Sequence, residues 1–390
     1  MMNDVFYIFR REFYTIFRDH GVMTFFVLLT LAYPIVYTYI YSNEVVREVQ
    51  VAVVDHAASP LSREFVRLFE ASPNAEVAAR CADMEAAREL MRQKKVYGIL
   101  ELPEDFSKRI NRGEQAHAGL YCDMGALLNY KALLQAVSDV SALMNAGIQV
   151  ASLPYASQVQ QEIAAMPVQV QEVKMFNPQS GFASFIIPAV LVLVIQQSLL
   201  LGVGTITGTV YDRKGVAALV PRNSHYRRAW CIVLGKGCAY LLLYFVMAYW
   251  VFFVVPRIFG LVQIGVRGDL MLFLFPFLLA CVFLAIACSF LCREREQPFL
   301  LFVFTSVPLM FISGISWPKE GIPEYWLALA KVFPSTHGID GFVKINNMGA
   351  TLSEVVTEYA SLWFLALVYF SLACFLYRRE IVKQNNNDLS

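Results

Sequence analysis

Three residue patterns would announce catalysis, and none of them is present. The chain has no G-x-x-x-x-G-K-[ST] phosphate loop, no H-E-x-x-H helix and no paired C-x-x-C. The stretch Gly202-Val-Gly204-Thr-Ile-Thr-Gly208 lacks the lysine that a phosphate loop needs. It also lies inside an apolar run, where small residues let helices approach closely. The five histidines are scattered, and His337 reads as structural rather than as a metal ligand. What remains is polar chemistry suited to movement. Gln196 and Gln197 sit in the middle of an apolar run, where an amide contacts a pathway or hydrogen-bonds a neighbouring helix. Ser313, Gly314 and Pro318 interrupt another such run, and a basic segment from Tyr211 to Arg228 separates two more.

The elements that must carry these residues follow from composition. Of 390 residues, 57% are hydrophobic and only 16% charged, against about 25% in an average soluble domain. A net charge of +1 leaves no basic footprint for nucleic acid. The charges are also uneven: residues 43–181 hold 13 of the 32 Lys/Arg and 17 of the 31 Asp/Glu. This is the pattern of an integral membrane protein with one polar insert. Spanning takes about 20 apolar residues. Six stretches qualify: Val22–Tyr41, Phe182–Gly208, Ala229–Val255, Leu270–Cys292, Phe299–Ile315 and Tyr359–Tyr377. The fifth is short and contains Pro308, so it is read as kinked or re-entrant. With the N-terminus inside, fourteen Lys/Arg flank the spans on the cytoplasmic side and five on the other, which puts both termini in the cytoplasm. The first stretch is an uncleaved span, since no small-residue cleavage site follows it.

Residues 1–21 form an amphipathic interface helix. Phe6, Phe9, Phe13, Ile16 and Phe17 share one face, with Arg11, Glu12, Thr15 and Arg18 on the other. It serves as an anchor or as a lever to a cytoplasmic partner. Residues 42–181 form a small extracytoplasmic α/β domain. Gln50–Asp55 and Val96–Glu101 read as buried strands, His117–Cys122 as a weaker third, and Leu61–Ala71 and Met84–Lys94 as helices, in the order β-α-α-β. Ala126–Ser152 is nearly uncharged, yet Lys131 and Asp139 would be costly in lipid, so it is a helical arm rather than a seventh span. Gln158–Lys174 is a polar return to the membrane. A Cys81–Cys122 disulfide stays open, because pairing cannot be read from spacing.

The layout resembles the permease subunit of type-2 ABC (ATP-binding cassette) exporters, the type V exporter fold. Asn177-Pro178 with Phe185-Ile-Ile-Pro188 resembles the family's entry into its second span, and Gly235-Lys236 its glycine–basic pair at the third. Ser313-Gly314-Ile-Ser-Trp-Pro318, running through Ile322-Pro323 to Phe333-Pro334-Ser-Thr-His337 and Ile339-Asp340-Gly341-Phe342, is similar to its outer re-entrant hairpin, here 313–342. The large insert resembles that of the longer exporter subgroup. The coupling loop, 209–228, departs from the family pattern: it reads Asp212-Arg213-Lys214-Gly215 with Pro221 six residues on and no Thr after the glycine.

The resemblance implies an integral membrane, mainly α fold of six transmembrane helices, five of them within 182–377, and a cytoplasmic tail at 378–390. It implies a bacterial inner-membrane permease that exports an amphiphilic or apolar substrate, such as a drug or lipid. No catalytic residue, metal or cofactor is expected on the chain itself; ATP and magnesium belong to a separate ABC ATPase subunit. ATPase coupling would fall to Tyr211, Asp212, Arg213, Lys214, Gly215 and Pro221, with Glu12 and Arg18 on the lever. Gln196, Gln197, Ser313, Gly314 and Pro318 would line the pathway and gate. Further partners would be a second permease subunit, identical or not, the bilayer, and a periplasmic adaptor with an outer-membrane channel where the cell has two membranes. Two rivals use the same chain differently. A membrane-anchored sensor would need no ATPase, and an ion-gradient-driven transporter would need ionisable groups at mid-membrane.

Overall fold

The computed structural model describes residues 2–152, 157–158, 160, 175–178, 180–214, 220–221 and 224–387. Gln158–Lys174 falls outside the described residues apart from Gln158 and Gln160. The chain divides into two units, Met1–Glu44 with Lys174–Ser390, and Val45–Val173.

The larger unit is helical. Helix α1 (Met2–Arg18) is followed by α2 (His20–Ile40). Asp19 starts α2 by accepting from the Gly21 and Val22 amides, as an N-cap carboxylate does for otherwise orphaned donors. After the second unit come α7 (Phe182–Lys214), α8 (Ala229–Ile258), α9 (Arg267–Cys288) and α10 (Gln297–Ile312). The short α11 (Glu324–Ala330), α12 (Pro334–Met348) and the last helix, α13 (Val356–Asn387), complete it.

Five segments among the described residues are long and apolar enough to cross a membrane: His20–Ile40, Phe182–Asp212, Ala229–Ile258, Arg267–Leu291 and Leu352–Lys383. The expected count of six is therefore not reached: five segments are long enough, and the remaining apolar stretch forms only the short helix α10. At about 1.5 Å per residue, α10 falls short of a hydrocarbon core roughly 30 Å thick. Its end is set by Ser313 and Gly314. The Ser313 amide donates to Leu309 O (3.0 Å), and Gly314 takes φ +86°, where a side chain would be strained.

Packing explains which helix lies at the centre. Helix α7 is apolar on every side and almost wholly buried, as expected of a helix without a solvent face. Gly202 lies against Phe26, Gly204 against Pro298 and Gly208 against the Glu294 backbone, so the glycine spacing does serve helix packing. Tyr240, Tyr244, Phe252, Phe273, Phe277 and Phe342 fill the core beside it. Within α8, Pro256 removes a donor from the helical ladder, and the preceding turn widens into a π-type segment over Trp250–Val254. The Phe252 carbonyl, four residues before Pro256, instead accepts from Gln263 Nε2 at 2.8 Å.

The second unit is an α/β domain. Its strands are β1 (Val49–Asp55), β2 (Ala75–Cys81), β3 (Gly98–Leu102) and β4 (Gly119–Cys122), in the spatial order β2-β1-β3-β4. β1 is parallel to β2 and β3, while β4 is antiparallel to β3. The helices are α3 (Pro60–Glu70), α4 (Met84–Arg92), α5 (Phe106–Asn111) and α6 (Leu127–Ala151). One face of the sheet packs Val49, Val51 and Val53 against Phe65, Phe69, Phe106, Leu133 and Val140; the other packs Ala52, Val54 and Ile99 against Ala87. The expected β-α-α-β order lacked β2. That strand runs along an edge, alternates exposed and half-buried residues, and carries Glu76 and Arg80, so it shows no buried run.

Two further points follow from the packing of this unit. Leu133, Ala136 and Val140 attach α6 to its own sheet, whereas Leu127, Leu134 and Ile148 are exposed. Cys81 and Cys122 are both free thiols. They stand on opposite edge strands, three strand spacings or about 14 Å apart. A disulfide needs Cα atoms within about 7 Å.

Candidate functional site

Gln196 and Gln197 are both buried in α7 and face different neighbours. Gln196 Oε1 accepts the Ser335 amide at 2.7 Å. That amide lies in the first turn of α12, where a donor has no intrahelical acceptor and must find another. Gln197 Oε1 accepts from Thr305 Oγ1 of α10 at 3.2 Å and lines a cavity of about 350 Å³. Leu29, Tyr33 and Tyr37 of α2, Val190 and Val194 of α7, and Phe302 and Met310 of α10 form its walls. Gln197 Nε2 has no hydrogen-bond partner. An amide N–H without an acceptor, beside a mainly apolar wall, fits a ligand with a greasy body and a single carbonyl or hydroxyl oxygen.

The residues predicted as a gate gather at the end of α10. Ser313 is buried and its hydroxyl donates to Met310 O at 3.1 Å. Pro318 is exposed, and Lys319 beside it forms an ion pair with Asp340 of α12. A Cβ on Gly314 would lie 2.7 Å from the Lys319 side chain, so the glycine lets the turn close. His337 contacts the Lys331 carbonyl oxygen through Nε2 at 3.0 Å, which ties α12 to the end of α11.

The residues predicted to couple to an ATPase divide between two places. Tyr211, Asp212, Arg213 and Lys214 continue α7, so the segment expected to begin as a loop at 209 is helical as far as Lys214. Gly215 lies outside the described residues. Pro221 lines a small cavity of about 70 Å³ together with Arg11, Glu12, Thr15, Tyr226 and Lys236. Arg18 is exposed at the end of α1, its guanidinium 5.9 Å from the Tyr14 ring centre.

Glu12 differs from its expected place on a polar outer face. It is buried, 3.1 Å from Lys236 Nζ of α8, and also accepts from the Tyr240 hydroxyl. Ile8 and Ile16, one helical turn to either side, are buried with it. The physical reason is Gly235. A Cβ there would fall 2.8 Å from Ile8 Cβ and 2.9 Å from Val5 O, so its absence lets α1 lie against α8 and cover the charges. Phe6 and Phe17 are exposed instead. At the other end of α1, His225 Nδ1 lies 2.6 Å from Asp4 Oδ1 and the His225 ring stacks on Tyr7 at 4.4 Å. That hydrogen bond holds the Asp4 carboxyl below the usual carboxylate range.

Sequence reading missed Thr305, Ser335, Tyr33, Tyr37 and the Lys319–Asp340 pair. Only Ser335 carried a signal, as the buried first-turn donor after Pro334. No group of three or more His, Cys, Asp or Glu able to hold a metal occurs among the described residues.

A central apolar helix with two buried amides, a short helix ending at Ser313-Gly314 and a buried ion pair on the N-terminal helix are set among the five described helices long and apolar enough to cross a membrane. Residues 21–375 match the family described as ABC-2 family transporter protein, and the chain belongs to that family. It is similar to the linearmycin resistance permease protein LnrN of Bacillus subtilis (strain 168), 21% identical over 354 residues, covering 84% of this chain and 88% of the relative. A shorter likeness, 25% identical over 125 residues, links 31% of this chain to 33% of the inner membrane transport permease YhhJ of Escherichia coli (strain K12). The chain is thus a membrane permease subunit, and ATP hydrolysis is carried out by a partner ABC ATPase.

Proposed function

We propose that the protein is the permease of an ATP-driven exporter that moves an amphiphilic or apolar molecule out of the cytoplasm or the inner leaflet. The observation that carries this reading is the Gln197 cavity, where a buried amide donor without a partner meets apolar and aromatic walls. The Bacillus relative is named for resistance, which supports outward transport. ATP and magnesium would bind the ATPase alone. Two permease chains, identical or not, would enclose the pathway between α7 and α10 of each. Both termini would be cytoplasmic in a bacterial inner membrane, with residues 45–173 outside. That unit would extend the exit route or dock a periplasmic adaptor and outer-membrane channel. Tyr211–Pro221 would meet the ATPase, and α1, held by Glu12 to Lys236, would carry its motion into α8.

The test begins with a pull-down of the tagged permease from gently solubilised native membranes. A stoichiometric soluble subunit bearing a phosphate-binding loop is expected. The variant Asp212→Ala/Arg213→Ala should reach the membrane folded and lose export together with permease-stimulated ATPase activity. Normal export by that variant would sink the coupling role.

A further inference from the structure

A second cavity, of about 700 Å³, opens where α1 ends and α2 begins. Its polar wall comes from Arg11, Tyr14, Arg18, Asp19 and His20, with Arg295 from the segment between α9 and α10. Val22, Ile206 and Val210 make its apolar wall. Val22 opens the span His20–Ile40 and Val210 closes the span Phe182–Asp212, so the cavity sits where two spans reach their polar ends. That is the level at which lipid headgroups meet acyl chains.

Its charge is unbalanced. Asp19 is the only carboxylate on the wall among the described residues, and its Oδ1 is already held by Arg295 Nη2 at 3.0 Å and by the Gly21 amide at 2.9 Å. Arg11 and Arg18 have no carboxylate partner among the described residues; each guanidinium rests near a tyrosine ring, at 5.5 and 5.9 Å. Two guanidiniums without anions, seven residues apart on one face of α1, can together hold a phosphate by charge-assisted hydrogen bonds. The apolar wall beside them would be wasted on a free ion.

We infer that this cavity binds the headgroup of an anionic phospholipid, with its phosphate on Arg11 and Arg18 and the upper part of its acyl chain along Val22, Ile206 and Val210. The inference rests on the chain being membrane-embedded and is independent of the exporter reading. Basic pockets between helix ends are a recurring form of lipid recognition. Such a lipid would steady the junction between α1 and α2.

The experiment uses the purified full-length permease without its ATPase. It is relipidated from equal amounts of phosphatidylglycerol and phosphatidylcholine, and lipids surviving detergent washes are counted by native mass spectrometry. Phosphatidylglycerol should be retained about tenfold over phosphatidylcholine, a preference of roughly 1.4 kcal/mol. The preference should disappear in Arg11→Gln/Arg18→Gln and persist in Arg10→Gln, whose residue does not line the cavity. Equal retention of the two lipids by the wild type would overturn the proposal. Displacement of the bound lipid by equimolar inorganic phosphate would also overturn it, in favour of a free-anion site. The wild-type comparison decides the matter even if the double variant fails to fold.

Discussion

Glu12 and Lys236 stand 224 residues apart and meet at 3.1 Å with most of both side chains out of solvent. A buried ion pair contributes little net stability, because desolvation offsets the attraction. Removing one partner strands the other charge at a cost of about 3–5 kcal/mol. Lys236→Met should therefore lower the unfolding temperature of the detergent-solubilised protein markedly. The double variant Glu12→Leu/Lys236→Met should recover most of the loss. A single variant as stable as the wild type would show that the pair does not clamp α1. Both residues were legible as charges near the membrane in sequence. Their partnership was not, since no local spacing joins them.

At the scale of elements, α1 is held at two points, by Glu12 within the helix packing and by Asp4 near its N-terminus. Because His225 donates to the Asp4 carboxylate, the folded protein holds that carboxyl below its unfolded value. Asp4 thus adds stability at pH values above the ordinary carboxylate range near 4, and that contribution is lost as pH falls through the lowered value. Amide hydrogen exchange in α1 beyond its first turn, taken relative to the intrinsic rate at each pH, should be slow at neutral pH and quicken as pH falls below about 4. In Asp4→Asn it should be fast throughout, and an exchange rate indifferent to both would remove the clasp. Helix periodicity had put Ile16 on an aromatic face and Glu12 on a charged one, whereas both are buried together with Ile8. It misjudged which face is covered, because both a bilayer and a neighbouring helix can bury one side. Gly235 decided between them by letting α8 come close.

The whole molecule consists of two units with separate cores, and the Val45–Val173 unit holds its own sheet and helices. Expressed alone, that fragment should fold cooperatively. Cys122 offers the readout, since burial pushes its thiol up to about 11. At pH 7.5 the thiolate is scarce, and alkylation of Cys122 should be slow until denaturant unfolds the fragment. The same thiol should form no bridge with Cys81 under oxidising conditions, because two strands separate theirs. Rapid alkylation of the isolated fragment without denaturant would mean that its core depends on the rest of the chain.

Apolar run length and the distribution of charge are local properties of the chain, and they were enough to establish a polytopic membrane protein with a polar α/β insert. Family resemblance in the order of Gly235-Lys236, Ser313-Gly314 and Pro334-Ser-Thr-His337 added the permease class. Three things needed tertiary structure. The edge strand β2 has no buried run and becomes visible only through its partner β1. The fifth expected span was legible as short, but the Lys319–Asp340 ion pair beside its Ser313-Gly314 end is seen only in the fold. The duties of Gln196 and Gln197 separate only once Ser335 and Thr305 are seen to claim one oxygen each. The pairings of β2 with β1, Gln196 with Ser335, Gln197 with Thr305 and Lys319 with Asp340 join residues well separated in the chain, and sequence periodicity carries no record of such contacts.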